Sequence, residues 1–296
     1  MQKTKLGKTG LEVSRVIWGG MIVNGETQED ANKYVSQAID MGVNFFDVAP
    51  LYGDAETKLG PALKAYRKNV SLACKTYEKS AKGARASIEN SLKTLQTDYF
   101  DLFQLHCLIE VGDIDKVFAE DGAMTAILAA KKEGLIKHIG LTAHNEETAL
   151  LGLSKFEFET VMFPINWSLD LSLDFGIKLP QVCAQKNIGL IAMKSFAHRK
   201  WRPNEEQSYP KSWSKPIDND KLWLSAFKYA LSRNVDAVVP PGHNDHFCQA
   251  VKHLDECLAN PLDDEDMQYL KDSLPEIDEL VFKLSSDRRL TSENRR

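Results

Sequence analysis

Eight short apolar runs, each followed by a stretch of helical spacing, recur along this 296-residue chain, and few folds accept that repeat. The runs are Val16–Trp18, Val43–Asp47, Val70–Lys75, Phe100–His106, Ile136–Leu141, Val161–Asn166, Ile188–Met193 and Val235–Val239. The first helical stretch starts at Thr27, which with Asp30 forms an [ST]-x-x-[DE] capping box ahead of Ala31, Tyr34, Val35, Ala38 and Ile39. Later ones are expected at 56–66, 82–95, 122–132, 146–153, 173–185, 219–232 and 245–257. Doubly wound sheets rarely hold so even a rhythm, and no GxGxxG follows the first run. The expected fold is α/β, a (β/α)8 TIM barrel forming one domain over 1–296. Gly7 and Gly10 punctuate a β-hairpin from Thr4 to Val13 before it, and Asp263 to Leu284 adds an extra C-terminal amphipathic helix. The long polar insertion 195–218 then falls on a βα loop of the catalytic face, where it suits a substrate-covering lid.

A chain with 43% hydrophobic residues can fill such a barrel, and its net charge of −5 disfavours nucleic acid or an anionic membrane as partner. Arg288-Arg289 and Arg295-Arg296 read as a solvated tail. The five scattered cysteines contain no CxxC pair and suit a reducing compartment. With no signal-like apolar start and no run near the ~20 residues that span a bilayer, a soluble, cytoplasmic protein is expected.

In a barrel of parallel strands, residues at the carboxyl ends converge on one mouth. Asp47, Lys75 and His106 close three successive apolar runs, and Tyr52 follows Asp47 on a loop marked by Pro50 and Gly53. Each alone could cap a turn or sit in water. Together, a carboxylate, an amine, a phenol and an imidazole suit polar reduction of a carbonyl, where the oxygen needs a proton. An unperturbed phenol of pKa about 10 is a poor acid at neutral pH, and a nearby ammonium would lower it. Asp47 would hold Lys75 charged, and His106 would orient the carbonyl oxygen.

These pieces resemble the aldo-keto reductase family of NAD(P)H-dependent (β/α)8 oxidoreductases. The resemblance rests on Leu6-Gly7-Lys8-Thr9-Gly10-Leu11-Glu12-Val13-Ser14, on Phe46-Asp47-Val48-Ala49-Pro50-Leu51-Tyr52-Gly53, on Lys75, and on Asp98-Tyr99-Phe100-Asp101-Leu102-Phe103-Gln104-Leu105-His106. Ile139-Gly140-Leu141-Thr142 and Pro240-Pro241-Gly242 extend it over most of the chain. It implies that Tyr52 is the acid, that Asp47 and Lys75 tune it, and that His106 orients the substrate.

The same resemblance implies a cofactor bed that takes in Gly20, Met21 and Asp47. Thr142 and Asn166 match positions that hold the nicotinamide carboxamide, and Met193 stands where many members stack an aromatic ring. Lys194 and Ser195 lie on the pyrophosphate path, and Gly242, His243 and Asn244 on the adenosine side. The resemblance favours NADP(H); the arginine and Glu-Asn pair common in the family are replaced near Cys248 and Val251-Lys252, which keeps NAD(H) as the second choice. Trp18, Tyr52, His106, Trp201 and Trp213 are expected around a small aldehyde or ketone. His243 and His246 lack a third ligand nearby, so no metal is expected. Two other readings are weaker. An aldolase-type barrel with Lys75 as Schiff base leaves Tyr52 unexplained. A non-catalytic, cofactor-binding sensor or partner subunit would not need all four polar residues.

Overall fold

The computed structural model describes residues 1–282. Strands β1 (Lys3–Lys5) and β2 (Glu12–Ser14) pair antiparallel. The repeat then runs β3 (Trp18–Gly19), α1 (Gln28–Asp40), β4 (Phe45–Asp47), α2 (Ala55–Leu63), β5 (Ser71–Thr76), α3 (Ala81–Thr94) and β6 (Phe100–Leu108). After α4 (Val111–Phe118) and α5 (Ala123–Lys132) come β7 (Ile136–Ala143), α6 (Glu146–Lys155), β8 (Thr160–Pro164), α7 (Trp167–Leu173), α8 (Lys178–Lys186) and β9 (Gly189–Met193). Short strands β10 (Ala197–Arg199) and β11 (Lys215–Pro216) precede α9 (Asp220–Ser232), β12 (Ala237–Val238), α10 (Asn244–Ala259) and α11 (Asp264–Ser273).

Strands β3 to β9 and β12 lie side by side in one parallel sheet. A parallel bridge from Val16 to Val238 joins its two edges, with Ile17 N–H donating to Val238 O at 2.9 Å. The sheet thereby closes into the expected (β/α)8 barrel. Alternation sorts its side chains. Phe45, Ala73, Leu102, Met162 and Ile191 fill the interior, where Leu6 and Val13 of the hairpin plug the bottom. Phe46, Leu72, Cys74 and Phe103 point outward into the layer shared with the helices. Local signals place the helices: the Thr27 hydroxyl accepts from Asp30 N and caps α1 as its capping box implies.

Four expectations change. Trp18, placed around the substrate, is fully buried and packs on Phe46 at 5.3 Å in the outer layer. The helix expected over 173–185 starts only at Lys178, because Asp174 and Gly176, at left-handed φ of 53° and 74°, end a separate helix α7 just before it. Helix α4 is not among the expected elements, although its Glu110–Asp113 capping box stands in the sequence. The insertion 195–218 is not all loop, since β10 and β11 pair within it. Helix α11 supplies the extra C-terminal element; Leu284 and the arginine pairs lie outside the described residues. No helix among the described residues is long and apolar enough to cross a membrane.

Candidate active site

Strand stagger sets the geometry at the barrel mouth. Asp47 on β4 is level with Ala73, while Lys75 on β5 is level with Gln104 on β6. The three strand-end residues are therefore not at equivalent heights, as the sequence suggested, but climb around the barrel with its shear. That climb lets the Lys75 ammonium reach back to Asp47 Oδ2 in a fully buried ion pair. Its Nζ also lies 3.4 Å from Val48 O and 3.5 Å from the Tyr52 hydroxyl. Gln104 Nε2 donates to the other Asp47 oxygen at 3.1 Å. Sequence reasoning missed Gln104, although its place two residues before His106 puts it on the same strand face.

Tyr52 is held by a turn that only glycine serves well. Gly53 has φ of +60°, and a Cβ there would come 2.1 Å from Asn24 Oδ1. The phenol ring meets His106 edge-on at 5.8 Å and Trp213 at 5.8 Å.

Burial dominates the electrostatics. It would pull Lys75 down, but Asp47 and then Tyr52 outweigh it and hold the ammonium above its ordinary value. It pushes the Asp47 carboxyl up, while Lys75 and Gln104 hold it back, and the pair stands as an ion pair. Tyr52 is raised, burial outweighing the opposing pull of Lys75, so the expected lowering is absent with the lid down and the phenol keeps its proton. Burial, with Lys75 second, drives His106 well below its ordinary value, so the imidazole is neutral, and its Nδ1 has no partner. A neutral imidazole keeps one N–H donor and one acceptor.

A cavity of about 110 Å³ lies beside these groups. Asp47, Tyr52, Met21, Met193, Lys194, Trp213 and Gly242 line it, together with Met162, Ser212 and Ser214, which the sequence did not single out. Other expected residues are placed elsewhere. The Asn166 amide donates to Lys194 O and Ala197 O, and its oxygen accepts from Ser168 and Leu169, so it ties the loop after β9 and is fully spent. The Thr142 hydroxyl accepts from Cys107 N–H at 2.6 Å, where β6 breaks register. Gly20 packs against Val48, whose Cγ2 would lie 2.7 Å from a Cβ there. Asn244 turns away to Gln37 on α1 at 3.0 Å. His243 accepts from Lys211 N–H at 3.2 Å. Lys194, at a left-handed φ of 65°, lays its ammonium over Trp213. Trp201 donates to Ser212 O and pins the lid from within. Ser195 is buried with an unpartnered hydroxyl. Among the described residues no cluster of His, Cys, Asp and Glu could hold a metal ion.

The lid is latched. Lys211 donates to Ile22 O at 2.7 Å and pairs with Glu26, while Tyr209 packs on His246 at 4.5 Å. A Cβ on Gly242 would lie 2.7 Å from Met21 Cβ and 3.0 Å from Lys211 O, so the lid presses on the loop before α10. Lys211→Met should release it, and thermolysin should then cut within 199–214 several-fold faster at an unchanged melting temperature; an unchanged cutting rate would remove the latch. Burial, then His243, lowers His246 to about 4. Unfolded histidine titrates near 6.5, so the unfolded chain binds more protons between these values and stability falls as pH drops from 6.5 toward 4. The slope is at most about 1.4 kcal/mol per pH unit. Urea midpoints should show that loss in the wild type and a flatter profile in His246→Phe.

Residues 15–239 match the profile of the Aldo/keto reductase family. L-galactose dehydrogenase of Arabidopsis thaliana is 38% identical over 153 residues, 46% of this chain and 47% of that protein. The 6-dehydroglucose reductase of Novosphingobium aromaticivorans is 38% identical over 122 residues, 34% of this chain and 40% of that protein. The chain thus spans about half the length, or less, of these curated relatives. Aldo-keto reductase AKR11C1 of Bacillus halodurans, in its holo form, shares the fold with a TM-score of 0.71 at 21% identity, covering 100% of both chains.

Proposed function

This chain belongs to the aldo/keto reductase family, and from that premise we propose that it reduces the carbonyl of a small aldehyde or ketone, with Tyr52 as the proton donor. The observation that carries the reading is the Asp47–Lys75–Tyr52 chain, a buried ion pair with a protonated phenol 3.5 Å from its ammonium. A nicotinamide dinucleotide, when bound, supplies the hydride. Met162 and Met193 offer an apolar shelf for its ring. The unpartnered Ser195 hydroxyl and the N-terminus of α10, which no side chain caps, offer donors to its phosphates. These residues fit the cofactor. The cavity of about 110 Å³ is below the ~300 Å³ at which ligand pockets begin, so the cofactor would occupy the open mouth as well, with the insertion 195–218 shifting to make room.

Within that frame the chain moves one proton. A carbonyl oxygen that gains negative charge takes the proton of Tyr52, and the phenolate left behind faces the Lys75 ammonium. Asp47 keeps that ammonium charged, and Gln104 fixes the carboxylate. Neutral His106 donates one ring N–H to the oxygen and orients it. NADPH is the favoured cofactor on family grounds; NADH is kept as the second choice because no arginine stands over 243–252, at the start of α10. The test is oxidation of NADPH and NADH in parallel with a reactive aldehyde. Aldehyde-dependent turnover supports the reading; tight cofactor binding without turnover would turn it into a sensor or partner subunit.

A further inference from the structure

The cations around the cavity are matched by carboxylates with one exception. Lys75 pairs with Asp47, and Lys211 pairs with Glu26. Lys194 has no carboxylate acting on it among the described residues. Its ammonium lies 5.3 Å over the Trp213 ring and 5.9 Å over that of Phe282, and it donates to Ser214 Oγ at 3.5 Å. Burial draws it down to about 8, so it is still largely charged at neutral pH. Two lid hydroxyls share the cavity wall with it. Ser212 Oγ is buried with no partner, and Ser214 is 6% exposed. An unmatched ammonium beside an unsatisfied hydroxyl, in a wall otherwise mainly apolar, asks for an oxyanion.

We propose that Lys194, Ser212 and Ser214 form an anion-binding corner that takes the carboxylate of a short aldehydo or keto acid while its carbonyl meets Tyr52. The proposal rests on the carbonyl-reductase reading for the second half and on the cavity alone for the first. Trp213 links the two groups, because its ring lies 5.8 Å from that of Tyr52 and 5.3 Å from the Lys194 ammonium. An anion on Lys194 would therefore sit beside the same ring that flanks the phenol. The donors come from the lid and from the loop beneath it, so the same anion that selects the substrate also holds the lid down.

Two measurements test this. The first is binding of oxamate, an unreactive carboxylate, by calorimetry in the wild type, Lys194→Met, Lys194→Arg and Ser212→Ala. The second is kcat/KM for two matched pairs, glyoxylate against methylglyoxal and succinic semialdehyde against butanal, with the KM for NADPH recorded for each. Oxamate should bind at least tenfold more weakly to Lys194→Met, several-fold more weakly to Ser212→Ala, and recover in Lys194→Arg. The acid-to-neutral ratio should fall at least tenfold in Lys194→Met. Oxamate binding that ignores Lys194→Met would overturn the corner. A rise in the NADPH KM by one common factor for all four carbonyls would overturn it too, because the ammonium would then serve the cofactor's pyrophosphate. If no carbonyl turns over but oxamate binding depends on Lys194, the corner stands and the reductase reading is what fails.

Discussion

Tyr52→Phe is expected to lower aldehyde-dependent cofactor oxidation by about 10²–10⁴, the range a positioned general acid supplies. The change removes one oxygen. Ring contacts with His106 and Trp213 and the turn at Gly53 remain, so folding and cofactor affinity should hold. The physical ground is that the phenol is the protonated group whose conjugate base has an ammonium waiting at 3.5 Å. His106 is neutral and can orient an oxygen, but its imidazolium is disfavoured by burial and by Lys75, so it cannot take over as the acid. Turnover, cofactor binding and melting temperature measured on one preparation decide the matter. Equal rates in the two proteins would sink the mechanism, whichever carbonyl is used.

The second large effect is on stability, at the Asp47–Lys75 pair. Lys75→Met leaves a carboxylate buried with only Gln104 to satisfy it, and breaking such a pair costs about 3–5 kcal/mol. For a chain of this size that is a fall of roughly 10 °C in melting temperature. Replacing both partners behaves differently. In Asp47→Asn/Lys75→Met no charge is buried, the introduced amide oxygen still accepts from Gln104, and stability should return to within about 1–2 kcal/mol of the wild type. Activity should stay lost, because nothing then stabilises a Tyr52 phenolate. A double variant as unstable as Lys75→Met alone would show that the pair is a structural requirement and not a site held in place for chemistry.

Much of this was legible in the one-dimensional pattern. A run such as Phe100–His106 is short enough for a buried strand, and eight such runs in even alternation with amphipathic stretches point to the closed barrel, which buries both faces of every strand. The residue types at the strand ends suggested the chemistry, since Asp47, Lys75 and His106 must share a mouth once the strands are parallel. The cofactor bed is less legible. Asn166 has the right type at the right strand end, yet its amide is consumed by Lys194 O and Ala197 O. A pattern does not say whether a polar group offers itself to a ligand or to its own backbone. Trp18 and Trp213 show the same limit. Both are indoles near the mouth, but one lies wholly in the outer layer and the other is 51% exposed over the phenol.

The local code thus determined the barrel, the hairpin ahead of it and the identity of the polar residues at its mouth, because strand period, helix spacing and caps act over a few residues. Tertiary structure decided the rest. The stagger of neighbouring strands brought Lys75 onto Asp47 and placed Gln104 behind them. The fold-back of the insertion set Lys194, Ser212 and Ser214 in one wall, although 18 positions separate the first two in the chain. Burial then reversed the sign of the shift expected for Tyr52. Each of these depends on distance and on excluded water, and both exist only once the chain has closed on itself.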